Sequence, residues 1–480
     1  EKNIMIPVLL IFIPLVAGLF TFFVKGNASK QLALASSVAT LAVSLLSIFV
    51  YTSAKFGNFD ASWIPTLGTR FTLSLDGMSK MLTLLAAISF PIIFAATYKN
   101  EYKNANQFYA LMLLTQAGLM GVFLAADCLL FYFFWELAII PVYFLCSIWG
   151  GEKRIAVTFK FFVYTFLGSL LMLVGILFLY FKTPHHSFAI KDFYALKLTA
   201  QEQSLSFWLF FIAFAIKMPI FPFHTWQPDA YEQSPTAVTM VLSGIMVKMG
   251  IFAVIRWLVP IFPDAVHSNA MLIVVLAVIG MLYASLIAMK QDDMKRLIAY
   301  SSIAHIGLMC AAIFSMNDIG LKGVMIQMFN HGINVIGLWI VADAIEQKTG
   351  TRKLSELGGL AHKAPVLAIM FVVLAFANIA LPLTNAFVGE FLMFNGLFEF
   401  NVYITAAALI SIILAAVYTL TMVQKLFYGN TVTATEKTGE VGTNVQLMLA
   451  VIVVVVIVFG VYPQPMIDLT KDTVNAVFGK

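Results

Sequence analysis

Along most of its length the chain repeats one pattern: a run of about twenty apolar residues, then a short polar stretch. A helix needs roughly 20 apolar residues to cross the hydrocarbon core of a bilayer. Inside that core only helices and closed barrels satisfy their own backbone hydrogen bonds. Runs of this kind can be placed near 4–24, 31–52, 77–97, 107–126, 128–149, 156–181, 207–223, 235–258, 269–289, 297–316, 322–343, 364–400, 402–428 and 445–462. The pattern therefore predicts an all-α polytopic membrane protein of about 14 transmembrane helices, in contact with the lipid bilayer. Only 11% of the residues are charged, against about 25% in soluble domains. The small net charge of +5 gives no ground for a nucleic-acid partner.

Two spans are predicted to be broken. The seventh carries Pro219 and Pro222, and the twelfth, too long for one crossing, carries Pro382 near its middle. Proline removes a helix hydrogen bond. In a membrane the freed backbone groups must then face protein or a hydrated cavity. Cys128, Cys146 and Cys310 lie in apolar runs without paired spacing, which suggests neither a disulfide framework nor a metal or cluster site. There is no GxGxxG, Walker loop or CxxCH. Redox cofactors are thus expected elsewhere, with none in this chain. The first Met is Met5, so a few leading residues are expected to be missing; residues 4–24 read as a first span because no A-x-A-like cleavage site follows them.

Lys and Arg in loops set the orientation of a polytopic protein. Fifteen fall in loops that leave odd-numbered spans and ten on the opposite side, which includes both termini. The bias places both termini outside the cytoplasm. Of the four remaining basic residues, Lys80 and Lys160 lie near helix starts and can snorkel. Lys217 and Lys248 lie well inside their spans.

A charge at the bilayer centre costs at least ~2.5–3.5 kcal/mol, so an ionisable residue there points to function. Glu136, Lys217, Lys248 and Glu390 occupy the fifth, seventh, eighth and twelfth spans. Static ion pairs that pin helices together are the alternative, although buried pairs stabilise poorly. Ser301 and His305 are four apart in the tenth span, and Gln327 and His331 four apart in the eleventh, with Asn330 and Asn334 beside them. Residues four apart share a helix face. Their order along the chain suggests a row of protonatable groups, and histidine passes a proton on either ring nitrogen. A carboxylate near Lys217 would keep that lysine charged, and moving or protonating it would release the proton. The candidate relay is Glu136, Lys217, Lys248, His305, His331 and Glu390. His224 is placed at a boundary, and His185, His186, His267 and His362 in surface loops.

The stretch Gln291-Asp292-Asp293-Met294-Lys295-Arg296-Leu297-Ile298-Ala299-Tyr300-Ser301-Ser302-Ile303-Ala304-His305-Ile306-Gly307 resembles a Q-x-D-x-K-R-x-x-A-Y-S-S-x-x-H-x-G signature. That signature belongs to the antiporter-like membrane subunits of respiratory complex I, the Mrp antiporters and related hydrogenases. Lys217-Met218-Pro219 through Trp226, then Pro228-Asp229-Ala230 and Ser234-Pro235-Thr236-Ala237, resembles the same family's broken seventh helix and its exit. Within the family the chain looks like the subunit M branch. Glu390, in Phe387-Val388-Gly389-Glu390-Phe391, stands where subunits L and N and the Mrp subunits usually carry Lys. The sequence continues only about 18 residues past the last span, without subunit L's long lateral helix, and Gly460-Val461-Tyr462-Pro463-Gln464-Pro465 also matches subunit M. The chain departs from the pattern at Pro382-Leu383-Thr384-Asn385-Ala386-Phe387, at Tyr231 in place of the usual His, and at Val238-Thr239 in place of Gly-Ser.

The resemblance implies 14 helices, with the fourth to eighth and the ninth to thirteenth forming two inverted five-helix repeats and the seventh and twelfth broken. It divides one membrane domain, 1–480, into residues 1–106, 107–258, 269–428 and 445–480. It implies a proton-translocating, non-redox subunit of a bacterial NADH–quinone oxidoreductase in the inner membrane, with periplasmic termini. L-like and N-like subunits would flank it, and FMN, iron–sulfur clusters and quinone would belong to other subunits. In this scheme Glu136 modulates Lys217, Lys217 and Lys248 carry protons, His305 and His331 link the halves, and Glu390 ends the relay. Three alternatives stay open: an Mrp-type cation/proton antiporter subunit, a membrane subunit of a proton-pumping hydrogenase, and a structural spacer.

Overall fold

The computed structural model describes residues 5–477. The predicted start of the first span at residue 4, and Lys2 and Lys480, lie outside them. The described chain is almost wholly helical. Its main helices are α1 (Ile6–Thr21), α2 (Asn27–Phe49), α3 (Gly77–Ala96), α4 (Ala105–Leu124), α5 (Cys128–Trp149), α6 (Arg154–Lys182), α7 (Ala200–Lys217), α8 (Trp226–Gln233), α9 (Thr236–Ile261), α10 (Pro263–Met289), α11 (Met294–Phe314) and α12 (Asp318–Thr349). They continue as α13 (Pro365–Asn378), α14 (Asn385–Phe400), α15 (Val402–Phe427), α16 (Thr443–Val461) and α17 (Gln464–Val477). Eleven helices among the described residues are long and apolar enough to cross a membrane.

Short polar residues start many of these helices. Asp76, Asp127, Asp293, Asn317 and Asn401 each accept a hydrogen bond from the first turn of the helix they precede. Such caps satisfy backbone N–H groups that have no partner within the helix. Pro263 and Pro365 open α10 and α13, where their missing N–H costs nothing.

Both predicted breaks are present. Residues 218–225 interrupt the helix between α7 and α8, and residues 379–384 interrupt it between α13 and α14. His267 is a difference: it is exposed, but lies in the first turns of α10, because Pro263 starts that helix six residues before the predicted span. Two further elements were not expected. A hairpin of β1 (Asn58–Ile64) and β2 (Thr69–Ser74) joins α2 to α3, with Gly68 at φ +70° closing its turn. The amphipathic α17 packs back against α3, and Met78 N donates to Thr473 Oγ1 at 3.3 Å.

Burial sorts the helices into layers. Every residue in the most apolar windows of α9 and α12 is buried, and 94% are in α11. In α6 and α15 the share is 39%, and in α16 it is 17%. Leu167, Val174, Ile413 and Val454 present large apolar side chains outward on these outer helices. A helix apolar all round is buried in protein or lipid, so the outer layer suits hydrocarbon and the inner one can hold polar groups.

Candidate functional site

The six candidate residues lie on six different helices: Glu136 on α5, Lys217 at the end of α7, Lys248 on α9, His305 on α11, His331 on α12 and Glu390 on α14. Lys217 is the last helical residue before the first break and is 2% exposed. Its ammonium lies over two aromatic faces, 6.0 Å from the Trp135 centroid and 5.8 Å from that of Phe161, and its Nζ has no hydrogen-bond partner. An aromatic face attracts a cation without offering it an acceptor. Glu136 follows Trp135 on α5, and its Oε1 is buried without a hydrogen-bond partner. Glu136 also lines a cavity of about 250 Å³ between α5 and α6, with Ile139, Tyr143 and Phe162.

Lys248 lies on an α-helical segment, Val247–Ala253, flanked by the π-helical turns Leu242–Met246 and Val254–Leu258. Such turns inside α-helices occur often at functional sites. Lys248 Nζ donates to Ser243 O at 2.8 Å and lies 2.8 Å from His331 Nδ1. His331 Nε2 lies 3.3 Å from Ser302 Oγ, and its ring centroid is 5.5 Å from that of His305. His305 Nδ1 lies 2.9 Å from Glu390 Oε1, which also accepts from Gln327 Nε2 at 3.4 Å. A cavity of about 10 Å³ touches His305, His331, Gln327, Asn334, Asn378 and Glu390. That is roughly the space of one water position.

Glycines allow these contacts. A Cβ on Gly332 of α12 would come 2.7 Å from Gly244 O of α9, so these helices cross backbone to backbone beside Lys248 and His331. A Cβ on Gly323 of α12 would come 2.7 Å from Gly389 O of α14, beside Glu390. A Cβ on Gly250 of α9 would come 2.7 Å from Met218 N, so the Lys248 segment packs directly after Lys217. Small residues at helix crossings bring backbones close in membranes.

The groups form a short row with a chemical direction. When Lys248 carries a proton, its Nζ can donate to His331 Nδ1, which leaves Nε2 to donate toward Ser302. A proton taken on one ring nitrogen can leave from the other. His305 meets a carboxylate at one nitrogen, while its Nε2 is buried without a partner. Gln327 Oε1, Asn330 Oδ1, Asn334 Oδ1 and Asn385 Nδ2 are also buried and unpartnered. Buried polar atoms in this state are uncommon, and a cluster of them marks a polar seam through the apolar interior.

All six residues lie in helices, beside neighbours that spacing along the chain does not specify. Ser302, not Ser301, meets His331. Ser301 turns instead to Asn378 and Tyr418. The four buried charges do not balance as two ion pairs, since Glu390 meets His305, and Lys248 bonds a carbonyl and an imidazole. The Trp135 and Phe161 faces were missed; the only local signal was the Phe-Trp-Glu run before Leu137.

A family model described as NADH:quinone oxidoreductase/Mrp antiporter, TM, matches residues 125–416. That range contains all six residues. The chain belongs to this family. It is 35% identical to NADH-quinone oxidoreductase subunit M of Rhodobacter capsulatus, over 96% of this chain and 94% of that one. It is 36% identical to F(420)H(2) dehydrogenase subunit M of Methanosarcina mazei, over 98% of each chain. Among solved structures it resembles a chain of respiratory complex I from Thermus thermophilus with a TM-score of 0.90 and 28% identity, over 98% of this chain and 99% of that one. The family membership, with several long apolar helices, makes this a multi-pass membrane protein of the antiporter-like type.

Proposed function

We propose that this chain is a proton-translocating, antiporter-like subunit of an NADH–quinone oxidoreductase. The continuous contact from Lys248 through His331 and His305 to Glu390 carries this reading. Lys217, cradled by aromatic faces rather than fixed to a counter-ion, loads and releases a proton under the influence of Glu136. Lys248 takes it on, the two histidines pass it between the halves, and Glu390 is the terminal group. Moving one charge against 100 mV takes about 2.3 kcal/mol, a scale that shifts in a few buried contacts can supply.

The chain itself is the non-redox part of a translocase. FMN, iron–sulfur clusters and quinone belong to other subunits, and L-like and N-like membrane subunits flank it. The fourteen crossings are the eleven long apolar helices, α1 and the two broken pairs α7–α8 and α13–α14. Helices four to eight and nine to thirteen are inverted repeats, which pairs the break after Lys217 with the break before Glu390. Residues 107–258 and 269–428 hold them, with 1–106 and 445–480 outside. The protein sits in the bacterial inner membrane with both termini in the periplasm, as the loop charges direct.

The identity to a subunit of F(420)H(2) dehydrogenase favours a second reading, the same membrane role in a complex fed by F(420)H(2). Co-purification in mild detergent distinguishes them: the first reading expects NADH oxidation and bound flavin in the isolated assembly, and oxidation of F(420)H(2) alone contradicts it. In vesicles, Lys217→Ala should abolish proton delivery through this subunit while the complex assembles. Undiminished delivery overturns the proton-carrying role.

A further inference from the structure

The signature Asp293-Met294-Lys295-Arg296 is not part of the buried row. Asp293 caps α11, accepting from Lys295 N at 2.8 Å and Arg296 N at 3.1 Å, which places Arg296 in the first turn. There its guanidinium reaches α8. Arg296 Nη1 lies 3.0 Å from Asp229 Oδ1 and 2.8 Å from Glu232 Oε2. Lys160 Nζ reaches the other oxygen, Asp229 Oδ2, at 2.9 Å. Arg352, from the loop after α12, adds a second contact to Glu232 at 2.7 Å.

The short helix so gripped leads to Lys217. Trp226 shares α8 with Asp229, three residues away, and is 1% exposed. Its Nε1 donates to Ile216 O at 3.0 Å, the carbonyl just before Lys217. Its ring packs 5.0 Å from Phe161, one of the two rings beneath the Lys217 ammonium. Contacts from the first half hold α8 as well: Lys160 Nζ donates to Thr225 O at 2.8 Å, and Gly151 N to Gln233 O at 2.7 Å. Arg296 therefore does not simply keep α8 folded. It ties α8 to the other half of the molecule.

We infer that Arg296 is a positioning residue: by gripping Asp229 and Glu232 it sets, through Trp226, where Ile216 and Phe161 hold Lys217. The second half of the chain thereby adjusts the proton carrier of the first half along a route outside the buried row. This rests on the proton-carrying reading of Lys217.

The test uses the whole complex in vesicles, with protons delivered per NADH oxidised as the readout and assembly checked by subunit content. Arg296→Gln should lower the part of that ratio that passes through this subunit at least fivefold, or slow NADH oxidation to the same extent, in the assembled complex. Arg296→Lys, which keeps the charge, should restore at least half of the loss. Trp226→Phe, which keeps a ring but removes the N–H, should lower the ratio as well, and joining it to Arg296→Gln should add little, since both act on one path. The parent ratio at the parent rate of NADH oxidation in assembled Arg296→Gln, or failure of Arg296→Lys to rescue the loss, overturns the inference. If Arg296→Gln does not assemble, Trp226→Phe decides: a lowered ratio or slowed oxidation supports the inference, and the parent ratio at the parent rate overturns it. Lys217→Ala run alongside separates the two levels. If it loses proton delivery while Arg296→Gln keeps it, only the positioning role fails; if it too keeps delivery, the proton-carrying reading fails.

Discussion

The crossing of α9 and α12 allows a test of geometry that leaves every proposed proton carrier in place. In Gly332→Ala the new methyl would lie 2.7 Å from Gly244 O and 2.8 Å from the Leu85 methyl carbons. The leucine can turn away, but the carbonyl is backbone. Ordinary contact begins near 3.4 Å, so the helices must part by about 0.7 Å. If that shift passes to the side chains, the 2.8 Å Lys248–His331 contact opens to about 3.5 Å, beyond hydrogen-bond range. The added volume costs about 1–3 kcal/mol, which the assembled protein can tolerate. A hydrogen bond to a charged group contributes about 1.5–3 kcal/mol. At 1.4 kcal/mol for each factor of ten, proton delivery should fall roughly tenfold to hundredfold. The assay is dye-detected acidification of vesicles carrying the purified complex, driven by NADH. Gly439→Ala, whose methyl meets nothing within 4 Å, is the control. Acidification at the parent rate in assembled Gly332→Ala refutes the claim that this crossing sets the proton contact.

Two further predictions concern the edges of the site. Glu390→Gln keeps the shape and an acceptor for His305 but cannot take up a proton, so the share of acidification that passes through this subunit should be lost while subunit content stays at the parent level; parent acidification contradicts a terminal role. Asp127 is 1% exposed and accepts from Thr69 Oγ1, Arg70 N, Leu129 N and Leu130 N at 2.9–3.0 Å. Asp127→Ala removes a helix cap and strands a hairpin N–H, at a cost of about 2–4 kcal/mol. Protease cleavage within 58–74 should therefore speed up in the variant, and an unchanged rate rules out this anchoring.

Much of the helical frame was readable in the sequence because bilayer thickness fixes span length and proline fixes the breaks. Asp127, Asp293 and Asn401 mark helix starts by a local rule that tertiary packing does not overturn. The buried ionisable groups were also visible, because a lysine in an apolar run has no local excuse. What stood beside each was not. Periodicity places Ser301 and His305 on one face of α11 but does not say which neighbour that face meets. The crossing at Gly244 and Gly332 brings His331 to Ser302 instead. The aromatic cradle of Lys217 draws on α5 and α6, so no single segment displays it. The β1–β2 hairpin and α17 lie between or after the apolar runs, so hydropathy does not mark them.

The central claim is that Lys248 hands protons to His331, joining the lysines of one half to the carboxylate of the other. Lys248→Met tests it most directly, since methionine matches the stem and adapts to the space but carries no proton. The decisive measurement is the number of protons delivered per NADH by the assembled complex in vesicles. The predicted result is loss of the protons that pass through this subunit, or slowed NADH oxidation where coupling is rigid. The parent number of protons at the parent rate of oxidation contradicts it.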